Sequence, residues 1–188
     1  MLKHLIGRLL RGVSAGEQRT AWHHPSVAAT PDTVVLRSPA FVADAPMPQR
    51  FAGQGVGDNV SPPLAWSDAP PGTAEWLLIV EDPDAPLRRP IVHLIAFGLA
   101  PQRTSVPEGA CGNPPGDGIR LGTGSFGRVG YQGPRPIPGH GPHRYIFQLF
   151  ALRQPLEALD RPKLDDLLAA IKGQVVARGR LTGTYRRS

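Results

Sequence analysis

The sequence is poor in cysteine and in lysine, and each shortage removes a class of function. Cys111 is the only cysteine among 188 residues, which excludes an internal disulfide and any metal site built from cysteines alone. Lysine occurs only as Lys3, Lys163 and Lys172, so arginine carries almost all of the net charge of +6. The arginines are scattered and form no basic run, so we expect small anionic partners and no nucleic acid.

Long apolar runs are missing as well, and no stretch approaches the roughly 20 apolar residues that cross a bilayer. Apolar residues near the N-terminus follow helical spacing, at Leu2, Leu5, Ile6, Leu9, Leu10 and Val13. Arg8 interrupts the unbroken apolar core that a signal peptide needs, so we expect a cytoplasmic protein with a short N-terminal amphipathic helix. Residues 1–13 then dock on their own domain or on a second copy in a homodimer, or they make peripheral contact with a membrane.

Glycine and proline are abundant, with 22 residues of each. This density interrupts helices repeatedly and leaves short β-rich runs, which predicts an all-β fold. Mostly apolar runs predict buried strands at residues 75–80, 91–97 and 144–152. Further strands are expected at residues 33–37 and 181–185, and an amphipathic helix at residues 162–173. Residues 14–30 are polar without a clear period, so we divide the chain into a helix and linker, residues 1–30, and a domain, residues 31–188.

One glycine-rich segment, Gly122 to Val129, matches the G-x-G-x-x-G pattern of dinucleotide-binding proteins and the glycine-rich loop of protein kinases. A dinucleotide site requires a helix directly after the loop, whereas the residues that follow include two glycines and a proline. A kinase requires a strand lysine shortly after the loop, and no lysine occurs between Lys3 and Lys163. We therefore interpret the segment as a structural turn.

The motif Asp82-Pro83-Asp84-Ala85-Pro86 directly follows the predicted strand 75–80. Two aspartates two positions apart on an extended chain project to the same side. Each proline restricts its own backbone and that of the residue before it, so the motif is a rigid loop that presents two carboxylates together. An ordinary turn is the alternative interpretation, since aspartate and proline are common turn formers.

A second group of polar residues lies on two of the predicted strands. His93 lies within the apolar strand 91–97. We place it on the face that it would share with Ile91, Ile95 and Phe97; the alternative is a core histidine whose hydrogen bonds are satisfied within the protein. His143 and Tyr145 share a face at the start of the strand 144–152, after a loop rich in glycine and proline, residues 130–142. Backbone amides of that loop, together with imidazole N–H and phenol O–H groups, suit phosphate oxygens. A nearby aspartate would keep a histidine protonated or would meet the ammonium group of a zwitterion such as phosphoethanolamine.

Together these motifs resemble the phosphatidylethanolamine-binding protein family, in the branch called Raf-kinase-inhibitor-like. The resemblance rests on residues 82–86, 93 and 141–145, is supported at residues 61–64, 130–134 and 181–185, and covers about residues 31–188. It implies an antiparallel Greek-key β-sandwich of two sheets with one or two C-terminal helices, and a pocket for phosphate-like anions and phospholipid head groups. The ligand-binding residues that it implies are Asp82, Asp84, Pro86, His93, Gly133, Pro134, His143 and Tyr145.

Three functions stay open at this point. The first is a binding module that captures a phosphate-bearing small molecule or head group without turnover. We find no catalytic nucleophile and no metal-binding motif, so we expect that the protein is not an enzyme and needs no cofactor or metal. The second is a hydrolase-type enzyme acting on a phosphoester or ester, with Asp82 or Asp84 as base and His93 or His143 as acid. The third is a regulatory protein whose pocket rim inhibits a kinase or a protease.

Overall fold

The structure is a computed structural model that describes residues 2–187 of the chain. Met1 and Ser188, at the ends of the predicted ranges 1–30 and 31–188, lie outside the described residues. One sheet contains three strands, Leu36–Arg37 (β1), Leu64–Trp66 (β2) and Ser105–Val106 (β5), in the order β1-β2-β5. The other contains Glu75–Asp82 (β3), Ile91–Leu99 (β4), Arg120–Leu121 (β6), Pro142–Leu152 (β7) and Val175–Arg186 (β8), in the order β6-β4-β3-β7-β8.

Neighbouring strands run antiparallel in both sheets. Two α-helices accompany the sheets within residues 2–187, Leu2–Leu9 (α1) and Leu164–Ala170 (α2). Neither helix is long and apolar enough to cross a membrane. The structure confirms the predicted mainly β fold with two antiparallel sheets, a short N-terminal helix and a C-terminal helix.

Both faces of the five-stranded sheet are covered. In β3, Trp76, Leu78 and Val80 face the core between the two sheets, whereas Leu77 and Ile79 face a second apolar cluster that includes α2. Successive side chains of a strand point to opposite faces, so a strand buried on both sides consists of apolar residues almost throughout. This is why the central strands were visible in the sequence.

The segment 14–30 is not the free linker that its polar composition predicts. The Ala21 amide donates to Glu81 Oε2 at 2.7 Å, and the Trp22 amide donates to Gln148 Oε1 at 2.6 Å. The Trp22 side chain is buried, and the Arg178 guanidinium lies over its ring at 4.0 Å from the centroid. Residues of the five-stranded sheet therefore hold this segment as part of the folded body.

The outer strands differ from their predicted ranges. Thr33 and Val34 both donate their amides to the Arg178 carbonyl, at 3.1 and 3.0 Å, so the predicted strand 33–37 pairs regularly only as β1. The predicted strand 181–185 extends to the whole of β8, because β8 pairs along the full length of β7.

Candidate functional site

A cavity of about 420 Å³ lies at one end of the five-stranded sheet. Strand β3 ends here at Asp82, and its antiparallel neighbours β4 and β7 begin beside it, at Ile91 and Pro142. The polar residues near these three strand ends are distant in the chain, and the antiparallel pairing brings them together.

Most of the predicted ligand-binding residues line this cavity, namely Asp82, Pro86, His93, Gly133, His143 and Tyr145. Asp84 and Pro134 are not among its lining residues. The Pro134 carbonyl instead accepts a hydrogen bond from the Gly53 amide at 2.9 Å, which anchors the loop that carries Gly133. Contact between the lining residues and a ligand stays a prediction.

The chain turns directly after Asp82, and this turn separates the two aspartates. Asp82 Oδ1 accepts hydrogen bonds from the amides of Asp84 and Ala85, at 2.8 and 3.1 Å. The Asp84 carboxylate accepts from the backbone amide and the guanidinium of Arg144, at 2.8–2.9 Å. Burial alone would raise the pKa of Asp84, but the hydrogen bonds and charge of Arg144 outweigh it and hold this pKa below its ordinary value. The prediction that both carboxylates face one side is therefore wrong, because it assumed an extended chain.

His143 is buried and hydrogen-bonded at both ring nitrogens. Its Nδ1 lies 2.8 Å from Asp82 Oδ2, and its Nε2 lies 2.8 Å from Nδ1 of His140. His140 Nε2 donates to the carbonyl oxygens of Leu10 and Val13, at 2.9 and 3.2 Å. His143 thus has no free N–H for a ligand, which corrects the expectation that its imidazole donates to the anion.

His93 reaches the cavity through a β-bulge in β4. Consecutive residues of β3 pair with the residues on either side of His93, which leaves it as the extra residue of the bulge. Ile95 and Phe97 pack in the cluster beside α2, whereas the His93 ring packs edge-on against Tyr145 with the centroids 5.1 Å apart. The predicted common face of His93 and Ile95 is therefore wrong, because a bulge shifts the alternation of side chains by one position.

The hydrogen bonds of the His93 ring define its tautomer. Nδ1 donates to the carbonyl oxygen of Gln132, which can only accept. Burial lowers the pKa of His93, although the charge of Asp82 opposes this, so the ring is neutral and Nε2 carries a lone pair. This Nε2 is buried and has no hydrogen-bond partner among residues 2–187.

Tyr145 supplies a second buried polar atom without a partner. Its Oη makes no hydrogen bond within the described part of the chain. Burial raises the pKa of Tyr145 well above its ordinary value, and the negative charge and the acceptor oxygens of the nearby Asp82 carboxylate add to the effect, so the phenol keeps its proton. An unsatisfied buried polar group costs about 1–3 kcal/mol, so His93 and Tyr145 mark the cavity floor as a place for a polar ligand.

The first part of the loop 130–142 does not present the row of free amides expected of an anion nest. The amides of Tyr131, Gln132 and Gly133 all donate to acceptors of the protein, at 2.8–2.9 Å. Asn59 holds this part of the loop, because its Oδ1 accepts from Gly133 and its Nδ2 donates to the Tyr131 carbonyl at 3.2 Å. A Cβ atom on Gly133 would lie 2.2 Å from the Phe51 carbonyl oxygen, so the close packing of this wall requires glycine. The nest prediction is wrong for these amides.

The cavity also contains residues that sequence reasoning missed. The glycine-rich segment interpreted as a structural turn contributes Ser125, Phe126 and Arg128 to the lining, and Arg135 and Arg187 add two cations. Phe126 is 76% exposed and adopts a left-handed backbone with φ of +60°, a conformation that is uncommon for residues other than glycine. An aromatic residue and an arginine within a glycine-rich loop were the available signal.

The charges of the cavity are arranged by depth. The buried floor holds Asp82, the neutral His93 ring and the protonated Tyr145 phenol, whereas Arg128 and Arg135 are exposed at its edge. Exposed arginines attract an anion to the mouth at long range. No group of His, Cys, Asp and Glu side chains in the described residues is arranged to hold a metal ion.

Comparisons with known proteins agree with this architecture. The family model described as "Phosphatidylethanolamine-binding protein" matches residues 37–186. A UPF0098 protein of Methanothermobacter thermautotrophicus is 38% identical over 155 residues, which are 81% of this chain and 98% of the relative.

Two solved structures share the fold. A phosphatidylethanolamine-binding protein homolog from Chlamydia trachomatis has a TM-score of 0.75 at 32% identity, covering 84% of this chain and 99% of its own. YbcL of E. coli, described as a member of the mammalian family, has a TM-score of 0.77 at 25% identity, covering 82% and 99%. Because the family match spans every strand of both sheets except the first residue of β1, and with them the whole cavity floor, the chain belongs to the phosphatidylethanolamine-binding protein family.

Proposed function

We propose that the cavity binds a phosphate-type anion, either free or as the phosphate of a phospholipid head group, without converting it. The observation that carries the proposal is the pair of buried, unpartnered atoms, His93 Nε2 and Tyr145 Oη, below a mouth that carries arginines. The description of the matched family, which names a phosphate-containing lipid, supports this ligand class.

A zwitterionic head group such as phosphoethanolamine also fits the charges. Its phosphate would meet the Tyr145 hydroxyl, and its ammonium group would meet the Asp82 carboxylate, which lines the same cavity. Asp84 does not take this role in the proposal, because Arg144 neutralises it outside the cavity.

Calorimetric titration with inorganic phosphate and with phosphoethanolamine tests the proposal. We expect saturable binding to the wild-type chain and a loss of about 10- to 100-fold in affinity for Tyr145→Phe, since a hydrogen bond to a charged group contributes about 1.5–3 kcal/mol. Tyr185→Phe is the matched control, because Tyr185 does not line the cavity. Absence of heat together with an unchanged melting temperature would contradict anion binding.

The hydrolase alternative gains no support from the relatives described above, none of which is named as a hydrolase. His143, one of its predicted acids, has both ring nitrogens bound to protein groups. If the wild type hydrolyses generic phosphoesters or esters and His143→Ala does not, the hydrolase hypothesis would replace the proposal of binding without turnover. Inhibition of a kinase or protease through the pocket rim, a homodimer and a cytoplasmic location stay predictions.

A second proposal concerns α1, which we propose to lie on an anionic membrane surface. The helix meets its own domain through Gly7, where an added Cβ would be 2.1 Å from the Pro138 carbonyl oxygen. Gly7 lies roughly 150° around the helix from the centre of the apolar face. That apolar face is exposed, with Leu2 at 71% and Leu9 at 75%. Lys3 and two arginines accompany it, and the first acidic residue of the chain is position 17, so its charge complements anionic lipid.

Co-sedimentation with vesicles of phosphatidylserine and phosphatidylcholine tests this second proposal. We expect binding to the anionic vesicles that weakens with salt and is lost in Leu9→Glu. Val42→Glu is the matched control, because Val42 is exposed to a similar degree, 73%, on a loop of the domain. A dimer in analytical ultracentrifugation that Leu9→Glu dissociates, without vesicle binding, would overturn the proposal in favour of a second copy of the chain.

A further inference from the structure

The cavity floor is richer in hydrogen-bond acceptors than in donors. His93 Nε2 offers a lone pair, and the Asp82 carboxylate offers negative charge. Among the side chains that line the cavity in the described residues, Tyr145 Oη is the one buried, unpartnered O–H or N–H donor. A ligand that satisfies this floor must therefore bring a hydrogen of its own.

Geometry and burial together make His93 an acceptor: burial lowers the pKa of the ring and favours its neutral form, and the contact with Gln132 fixes the position of its hydrogen. The carbonyl oxygen of Gln132 has no hydrogen to give, so the shared hydrogen belongs to Nδ1. A neutral imidazole carries one hydrogen, which leaves Nε2 without one. The groups that face His93 are Asp82 from β3 and His143 and Tyr145 from β7, with arginines only at the cavity mouth.

We propose that the cavity selects a phosphate group that still carries a proton, the monoanionic P–O–H form of a phosphomonoester. The proposal rests on the anion-binding function given above and narrows it to free phosphate and phosphomonoesters, because the diester of an intact phospholipid carries no such proton. The ligand O–H donates to His93 Nε2, while the Tyr145 hydroxyl donates to a charged phosphate oxygen. A fully deprotonated dianion would direct an oxygen lone pair at the lone pair of Nε2 and add a second negative charge near Asp82, and both contacts are repulsive.

Calorimetric titration with methyl phosphate at pH 5 and pH 8 tests the selection. The second pKa of a phosphomonoester is about 6, so the monoprotonated fraction falls from about 90% to about 1% between these pH values. We expect the affinity for methyl phosphate to fall by up to ~100-fold, in proportion to the monoprotonated fraction. Dimethyl phosphate and sulfate are the control ligands, because their charges do not change over this range and neither carries a proton; both should bind more weakly than methyl phosphate at pH 5.

The outcomes separate this inference from the function on which it rests. Equal affinity for methyl phosphate at both pH values, with sulfate binding as tightly, would overturn proton selection and leave anion binding intact. An affinity for dimethyl phosphate that falls in parallel with that of methyl phosphate would also overturn it, because a titrating protein group would then cause the change. No binding of any of these ligands at either pH would reject both proposals.

Two variants and one spectrum assign the selection to His93. In Tyr145→Phe the affinity should drop at both pH values while the ratio between them is kept. In His93→Leu the preference for methyl phosphate over dimethyl phosphate should disappear. If His93→Leu does not fold, ¹⁵N NMR of the wild-type imidazole decides: we expect a protonated Nδ1 and an unprotonated Nε2 that shifts when methyl phosphate binds, and a protonated Nε2 at pH 6 would overturn the proposal.

Discussion

Replacing Glu81 with glutamine should stabilise the protein at alkaline pH and change its stability little near pH 5. Glu81 is buried in β3, where its Oε2 accepts from the Ala21 amide and from Gln148 Nε2, at 2.7 and 2.9 Å. Its Oε1 has no partner within residues 2–187. Glu81 therefore connects the N-terminal segment to the sheet while one of its oxygens is left unpaired.

Burial raises the pKa of Glu81 from its ordinary value of 4.5 to about 7, although the two hydrogen bonds oppose the shift. The folded chain therefore holds this proton more tightly than the unfolded chain does. The contribution of protonated Glu81 to the free energy of unfolding is fully present below pH 4.5 and is lost as the pH rises through about 7. The total loss is roughly 3 kcal/mol, of which roughly 2–3 kcal/mol falls between pH 5 and pH 8.5.

Glutamine imitates the protonated carboxyl group without titrating. Its amide oxygen can accept both hydrogen bonds, and its NH₂ group takes the place of the unpaired oxygen. Urea denaturation at pH 5 and pH 8.5 measures the effect as the free energy of unfolding of Glu81→Gln minus that of the wild type. We expect a difference near zero at pH 5 and a stabilisation of roughly 2–3 kcal/mol at pH 8.5.

The control is Glu157→Gln, because Glu157 is exposed and should show no change with pH. A difference between Glu81→Gln and the wild type that is the same at both pH values would refute the reasoning, since the Glu81 carboxyl would then not hold its proton in the folded chain.

Three other predictions concern the cavity wall, the ion pair beside it and the single thiol. Gly133→Ala should weaken phosphate binding by at least ~10-fold in calorimetry and lower stability by about 1–3 kcal/mol in urea, because its Cβ would clash with the Phe51 carbonyl at 2.2 Å. Asp84→Asn should leave phosphate affinity within about 2-fold and cost roughly 0.5–1 kcal/mol at pH 7, because it breaks the half-buried pair with Arg144. The difference in free energy of unfolding between the wild type and Asp84→Asn should shrink as the pH falls below 3.8, because the Asp84 carboxyl then becomes protonated. A difference that does not change with pH would contradict the ion pair. Cys111 should react with a thiol reagent at pH 8 only in urea, because burial raises its pKa to about 12, and rapid reaction of the folded protein would contradict this.

The central strands could be predicted because strands that are buried on both faces consist almost entirely of apolar residues. Both faces of β3 are covered, so nearly every side chain from Trp76 to Val80 is apolar and no periodicity is needed to recognise the strand. The segment 14–30 could not be predicted in this way. Its buried contacts depend on backbone amides at Ala21 and Trp22, and a backbone amide leaves no trace in composition.

The cavity lining was predicted in part for a related reason. Four polar residues were visible in the sequence next to apolar runs, namely Asp82, His93, His143 and Tyr145. All four line the cavity. Phe126 and its neighbours were missed, because a glycine-rich segment without periodicity does not show what its loop encloses.

By itself, the sequence determined which segments are buried strands and which polar residues lie at their ends, because both follow from local composition and from positions a few residues apart. The tertiary structure decided the chemistry of those polar residues. His143 lost its free N–H to Asp82 and His140, and His93 became an acceptor through a bulge and the Gln132 carbonyl. The physical reason is that the protonation and direction of a buried side chain depend on its hydrogen-bond partners. Those partners include residues about 40 and 60 positions away in the chain, which only the fold brings within reach.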